Sequence, residues 1–269
     1  MIQKNRSYAL FIFFVPIITI NILLIVSQSL VLKTNNVDKN SQYYHEIPGN
    51  YFYNLKVYEL GDSLRSRQHI DEKGLAIPYI DGSTSISRLG RGNPNQFIFK
   101  PLMILTGIIL CLFWSNQKKI FNKIIKHKNN DKIFFLGFST GICLIIHIFF
   151  LGINFDNNYY KFFVRFILGM SVISGILSKI YFVRLINKLK KNNIFFNNIF
   201  FKIQNYIVYL IVILIIIFLP FQLIYNSKTL VLIFEWNIFV LIFSFYIFYY
   251  FSWKNYSLIQ PPPRTLSPN

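Results

Sequence analysis

Three ionisable side chains, His147, Arg165 and Glu235, fall inside runs of apolar residues rather than between them. A histidine beside a carboxylate can act as a general base oriented by its partner, and an arginine can grip phosphate oxygens in a two-pronged fork. The other concentration of such residue types lies upstream, where LAIPYIDGSTSISRLGRGNPNQFIFK supplies Asp81, Ser83, Ser85, Ser87, Arg88, Arg91 and Lys100. Arg88, Arg91, Lys100 and Arg165 brought to one place would cradle an anionic head group, with Asp81, Ser85 and Ser87 as further polar contacts. The serines suit turn and helix-entry hydrogen bonds better than nucleophilic attack. Nothing has the spacing of a zinc-protease helix or a nucleophile elbow. Cys111 and Cys143 both sit in apolar runs, so no metal site, disulfide or cofactor is expected.

The elements that would position these residues are membrane spans. Hydrophobic residues make up 54% of the 269 and charged residues 14%, and the apolar residues are gathered in blocks instead of alternating with polar ones. Blocks of about 20 residues match a hydrocarbon core about 30 Å thick. Six can be drawn, at 8–31, 99–114, 133–153, 162–182, 207–225 and 230–251, the second being the shortest. Lys100-Pro101 opens that second span, where proline suits a first helical turn and lysine can reach the interface. The first span reads as a retained anchor, because Ser27-Gln28-Ser29 offers no convincing cleavage site. The expected fold is an all-α, six-helix membrane bundle in one domain with a long first non-cytoplasmic loop, about 32–98. Period-two alternation in YFYNLKVYEL, between turns at Pro48-Gly49-Asn50 and Asp71-Glu72-Lys73-Gly74, gives that loop a small strand-containing cap.

A net charge of +18 raises the question of nucleic acid, but no aromatic-basic recognition motif accompanies it. The lysines lie instead in alternate loops. Lys4 and Arg6 precede the first span, Lys118, Lys119, Lys123, Lys126, Lys128 and Lys132 follow the second, and Arg184, Lys188, Lys190, Lys191 and Lys202 follow the fourth. Lys254 and Arg264 follow the sixth, while the two short opposite loops hold only Lys161 and Lys228. Both termini are therefore expected in the cytoplasm. KKIFNKIIK sets Ile120, Phe121, Ile124 and Ile125 on one stripe, which suits either a helix lying on an anionic leaflet or a plain extension of the second span.

At ~1.5 Å per residue, His147, Arg165 and Glu235 lie within about two turns of the external boundary, beside the Asp81–Lys100 segment. Three arrangements fit that shared depth: a structural Glu235–Arg165 pair with His147 packed nearby, a polar cavity for a lipid head group, and a catalytic His147–Glu235 pair. Intramembrane charges point inward and find partners in all three.

The segment PYIDGSTSISRLGRGNPNQFIFK, entering the second of six spans, resembles the Frag/DRAM/Sfk-type membrane family, which includes the FGF-receptor-activating protein and the damage-regulated autophagy modulators. The residues carrying the likeness are Pro78, Tyr79, Ile80, Asp81, Ser85, Ser87, Gly90, Pro94, Phe97 and Lys100, with Gly82 and Gly90 as turn formers. Asp81-Gly82, Arg88, Arg91 and Asn95 depart from the family's pattern. The resemblance implies six spans and a large first external loop, and the serine-rich start is most similar to the branch linked to lipid remodelling of glycosylphosphatidylinositol (GPI) anchors. It implies a non-catalytic factor or regulator recognising a lipid or lipid-linked molecule at the external leaflet. Membrane lipids, and other membrane proteins, would be its partners. A membrane-embedded acyl- or head-group transferase is the alternative, and a transporter is disfavoured by the lack of internal repeats. The host membrane is a bacterial inner membrane or a eukaryotic endomembrane or plasma membrane, according to source.

The lysine asymmetry makes a direct prediction. In a background lacking Cys111 and Cys143, a cysteine at Asn192 will react with an impermeant probe only from the cytoplasmic side, and one at Ser63 only from the outside. The reverse pattern would invert the orientation.

Overall fold

The computed structural model describes residues 1–35, 77–82, 84–90, 95–124, 129–151, 153, 158–190, 198–225 and 227–253. They form α1 (Ile2–Asn35), α2 (Pro78–Asp81), α3 (Ile86–Leu89), α4 (Asn95–Ile124), α5 (Asn129–Phe150), α6 (Asn158–Lys190), α7 (Asn198–Tyr225) and α8 (Lys228–Ser252). Helices α1 and α4–α8 are long and apolar enough to cross a membrane, and no strand occurs among the described residues. The chain is an all-α, multi-pass membrane protein, as its apolar blocks require: in lipid a spanning segment must satisfy its own backbone, and the helix does so within one segment. The expected strand at 51–60 lies outside the described residues, as do both turns beside it.

One expectation is corrected and one alternative is decided. The second span is not the shortest, because α4 starts at Asn95 and runs to Ile124, so Pro101 lies inside the helix instead of opening it. Of the two placements open to KKIFNKIIK, the structure has the plain extension of the second span: α4 runs to Ile124, and Ile120 and Phe121 are 3% and 1% exposed in the core.

The six spans form a ring. Helix α1 packs on α4 and α8, α4 on α5, α5 on α6, and α8 on α7, while α6 and α7 meet only sparsely. Hydrophobicity does not drive helices together in lipid, so contacts must come from small residues and polar pairs. Both are present. A Cβ at Gly141 of α5 would lie 2.7 Å from the Gly107 carbonyl oxygen of α4 and 2.6 Å from Cys111 Sγ, and one at Gly137 would enter the Trp114 ring. On the neighbouring face of α5, Thr140 Oγ1 is 3.1 Å from Ser174 Oγ, and Ser171 Oγ donates to the Thr140 carbonyl at 3.0 Å. Helices α4, α5 and α6 therefore make one tight wall.

The basic end of the bundle is closed by a buried network. Asn5 Nδ2 donates to Gln117 Oε1 at 2.8 Å and to Tyr249 Oη at 2.9 Å, and Tyr249 Oη donates to Gln117 Oε1 at 2.7 Å, tying α1, α4 and α8. Arg6 Nε donates to the Tyr250 carbonyl, with its guanidinium 4.4 Å from that ring. Lys118 meets Asp131 at 2.8 Å across the α4–α5 junction. Phe113, Trp114, Phe182, Phe245 and Tyr246 fill the space between in edge-to-face contacts.

Overpacking the wall should loosen the bundle. Gly141→Ile is expected to destabilise by about 1–3 kcal/mol, read as a lower melting temperature in detergent. Gly169→Ala, whose added Cβ meets nothing within 4 Å, should leave it unchanged. Equal melting temperatures for both variants would refute the close-packing account.

Candidate functional site

At the end opposite the basic loops, residues 77–82 and 84–90 lie across the bundle as a lid. Pro78 enters α2 with its fixed φ, and Gly82 leaves it at φ 59°, where a Cβ would also strike the Thr229 carbonyl oxygen. Asp81 accepts the Ile77 backbone N–H at 2.7 Å, closing this turn. Three consecutive residues of α8 then hold the segment: Glu235 Oε1 accepts the Ile86 N–H at 3.1 Å, Trp236 Nε1 donates to the Thr84 carbonyl at 2.8 Å, and Asn237 Nδ2 donates to the Tyr79 carbonyl at 2.9 Å. The Tyr79 ring packs edge-on against Trp236, and its hydroxyl pairs with the Asn21 amide of α1. Burial raises the pKa of this phenol and the Asn21 bond lowers it less, so it stays a donor. Asn95 Nδ2 bonds Ser27 Oγ and the Leu89 carbonyl, and Gly90 leaves room for the Phe99 ring, which seats the start of α4.

Beneath the lid lies a cavity of about 420 Å³, lined from α3, α4, α5, α6, α7 and α8. That is within the range of small-ligand pockets, roughly 300–1,000 Å³. Its walls are mainly Leu, Ile, Phe and Val. Along α8 it extends from Val231 to Tyr246, about 22 Å at a rise of ~1.5 Å per residue. It is lined by residues of both α6 and α7, the neighbours that barely touch, and Leu168 in its lining is 38% exposed. Polar groups occur towards both ends. Ser87, His147 and Glu235 lie towards the lid, while Lys179 lies far down α6 beside Gly175 and Tyr246.

His147 is 6% exposed, and its Nδ1 stands 3.1 Å from the Val164 carbonyl. A carbonyl can only accept, so Nδ1 carries a proton and donates to it.

The structure therefore brings His147, Glu235 and Ser87 to one cavity, as shared depth suggested, with Ser85 Oγ 3.3 Å from Ser87 Oγ at the lid. It does not bring Arg165 there. Arg165 follows Val164, whose carbonyl faces His147; one residue on, a helix has turned by about 100°, so Arg165 is exposed on the outer face of α6. A buried Glu235–Arg165 pair is thus excluded. Lys100 is half-buried on α4 outside the cavity lining, and Asp81 is engaged with its own turn. Arg91, Pro94 and Ser83 lie outside the described residues, as does the side chain of Arg88, so the expected phosphate cradle is not assembled among those described. Pro78, Tyr79, Gly82 and Gly90 are structural, as their types imply.

Lys179 is the residue that sequence reasoning missed. Close to the end of its span, it reads as a lysine that reaches for the interface. The available signal was the stripe Ser171, Gly175, Lys179 at four-residue spacing, which puts the lysine on the face that small residues mark as packed. Among the described residues no group of three or more His, Cys, Asp or Glu side chains could hold a metal ion. Comparison with family models, with curated proteins and with solved structures finds no match to this chain.

The lid contacts separate two roles for Glu235. As the acceptor for Ile86 N–H it can be replaced by Gln, which keeps an oxygen there, whereas Glu235→Ala strands a buried donor and should cost about 1–3 kcal/mol. Arg165→Gln should change stability little in either background. Coupling between positions 165 and 235 in a double-mutant cycle would contradict the geometry.

Proposed function

We propose that this protein binds an apolar chain of a membrane lipid or lipid-linked molecule in the cavity beneath the lid, as a non-catalytic factor in membrane-lipid or GPI-anchor maturation. The observation that carries this reading is the cavity's form: long, narrow, lined by aliphatic and aromatic side chains, and bordered by the sparse α6–α7 seam through which a chain could enter sideways from the bilayer. A soluble substrate would need polar walls along its length. Ser87, His147 and Glu235 form the polar end that would meet the part of the molecule outside the apolar section. The lysine asymmetry supports placing that end at the external leaflet with both termini cytoplasmic. The resemblance of the Pro78–Lys100 segment to the Frag/DRAM/Sfk-type family is compatible with this role and supplies its GPI-anchor branch.

A transferase is the second reading, favoured by one observation: His147, a residue type that serves as a general base, lines the same cavity as Glu235. Against it, Glu235 is occupied in holding the lid through Ile86.

Narrowing the cavity tests the main reading. Ile238→Trp and Leu168→Trp replace lining residues with bulk and should weaken binding of a photoreactive acyl-chain lipid at least about tenfold, with folding retained by melting temperature. Undiminished labelling would move the site elsewhere. Turnover of labelled phospholipid or lysolipid by the purified protein, lost in His147→Ala, would replace the non-catalytic role with the transferase.

A further inference from the structure

The far end of the cavity holds a cation that the fold leaves underused. Lys179 is 1% exposed. Its Nζ donates to the Gly175 carbonyl at 3.2 Å and stands 5.5 Å and 5.2 Å from the ring centres of Phe245 and Tyr246. An ammonium has three donors, and the hydrogen bond to Gly175 uses one. The acidic residues whose structure is described are Asp81, Asp131 and Glu235. Asp81 closes the lid turn and Asp131 meets Lys118 at the basic end. Glu235 lies three turns up α8 from Tyr246, about 16 Å away at ~1.5 Å per residue. No carboxylate among the described residues therefore neutralises Lys179.

The side chain is not escaping to water either. Helix α6 runs from the lid end towards the basic end, so a lysine reaching the near interface would extend towards its own C-terminus. Its amine instead bonds a carbonyl four residues back, towards the middle of the bundle. A buried ammonium without a partner is costly, and such groups in spans face cavities and mark binding sites. Here Lys179 lines the same cavity, whose other walls are mainly apolar and whose other ionisable groups, His147 and Glu235, lie towards the lid.

We infer that Lys179 is an anion site and that the cavity accepts a single-chain anionic amphiphile, a long-chain carboxylate or alkyl phosphate, with its oxyanion on Lys179 and its chain rising towards Glu235. The inference rests on the cavity being a lipid site, but not on recognition at the lid end. The chemistry selects this orientation. Lys179 attracts an oxyanion, the Phe245 and Tyr246 faces flank the cation, and the mainly aliphatic and aromatic walls above it suit the chain. The cavity's length of about 22 Å exceeds one leaflet, half of a ~30 Å core, so it can be filled from the leaflet bordering the basic end as well as from the lid end. Its volume makes the two occupants exclusive of each other.

The test uses the full-length protein in nanodiscs of phosphatidylcholine, titrated with palmitate, hexadecanol and hexadecyl phosphate. Wild type is expected to prefer at least one oxyanion over the alcohol by about tenfold or more. Lys179→Met should abolish that preference without weakening hexadecanol, and Lys179→Arg should keep it. The better of the two anions identifies whether a free acid or a phosphate is the source. Equal binding of acid, phosphate and alcohol to wild type, or a preference surviving in Lys179→Met, overturns the anion site while leaving the cavity as an acyl-chain site. Binding of all three unaffected by Ile238→Trp removes the cavity reading itself. If Lys179→Met does not fold, Lys179→Gln, which can still donate to the Gly175 carbonyl but carries no charge, repeats the comparison with the same criteria.

Discussion

The close approach of α4, α5 and α6 is the constraint on which the other features depend. Gly107, Gly137 and Gly141 let α5 lie against α4 at distances that a methyl group would prevent, and Thr140, Ser171 and Ser174 bond α5 to α6 on the neighbouring face. Lipid tails are as apolar as leucine, so short contacts and hydrogen bonds of this kind, rather than greasiness, decide which helices adhere. With α6 held against α5, and α7 held against α8, the ring has no strong contact left between α6 and α7. The seam and the cavity behind it follow from that uneven distribution of small residues.

Polar side chains then divide into those that lock the two ends and those that remain in the cavity. Asn5, Gln117 and Tyr249 bond one another at the basic end. Glu235, Trp236 and Asn237 are matched to backbone groups of the lid, which could not otherwise be buried without loss of their water partners. His147 is oriented by a neighbouring carbonyl. Lys179 differs, since its one hydrogen bond is to its own helix. That contrast, more than burial alone, singles it out: a structural ionisable group in a span has a partner supplied by the fold.

The order of the lid also limits what the cavity can do. A segment held by three successive residues of α8 and by Tyr79–Asn21 covers the cavity from above, so exchange through the side of the bundle is the easier route for an apolar chain. The same contacts explain why Tyr79, Pro78 and Gly82 are found in a loop otherwise rich in serine and arginine. They anchor it against α8 and α1.

Six spans, their alternating loops and the all-α class were legible in the sequence, because a bilayer imposes length and apolarity on each segment separately and no neighbour is needed to read them. The depths of His147 and Glu235 were legible for the same reason, being distances along one helix. Azimuth was not. Whether a residue faces the bundle or the lipid depends on which helices adhere, so Arg165 was placed in a cluster that its rotation about α6 forbids. Lys179 was not singled out by its position along the span; the packing of Phe245 and Tyr246 around it is what marks it. Helix ends were misjudged at α4 because the polar residues Asn95, Gln96 and Gln117 are buried by neighbours, which hydropathy along the chain cannot register. The sequence by itself determined a membrane-embedded set of helices and their depths. The tertiary structure alone decided which side chains share a cavity, since that is set by close contacts between segments far apart in the chain.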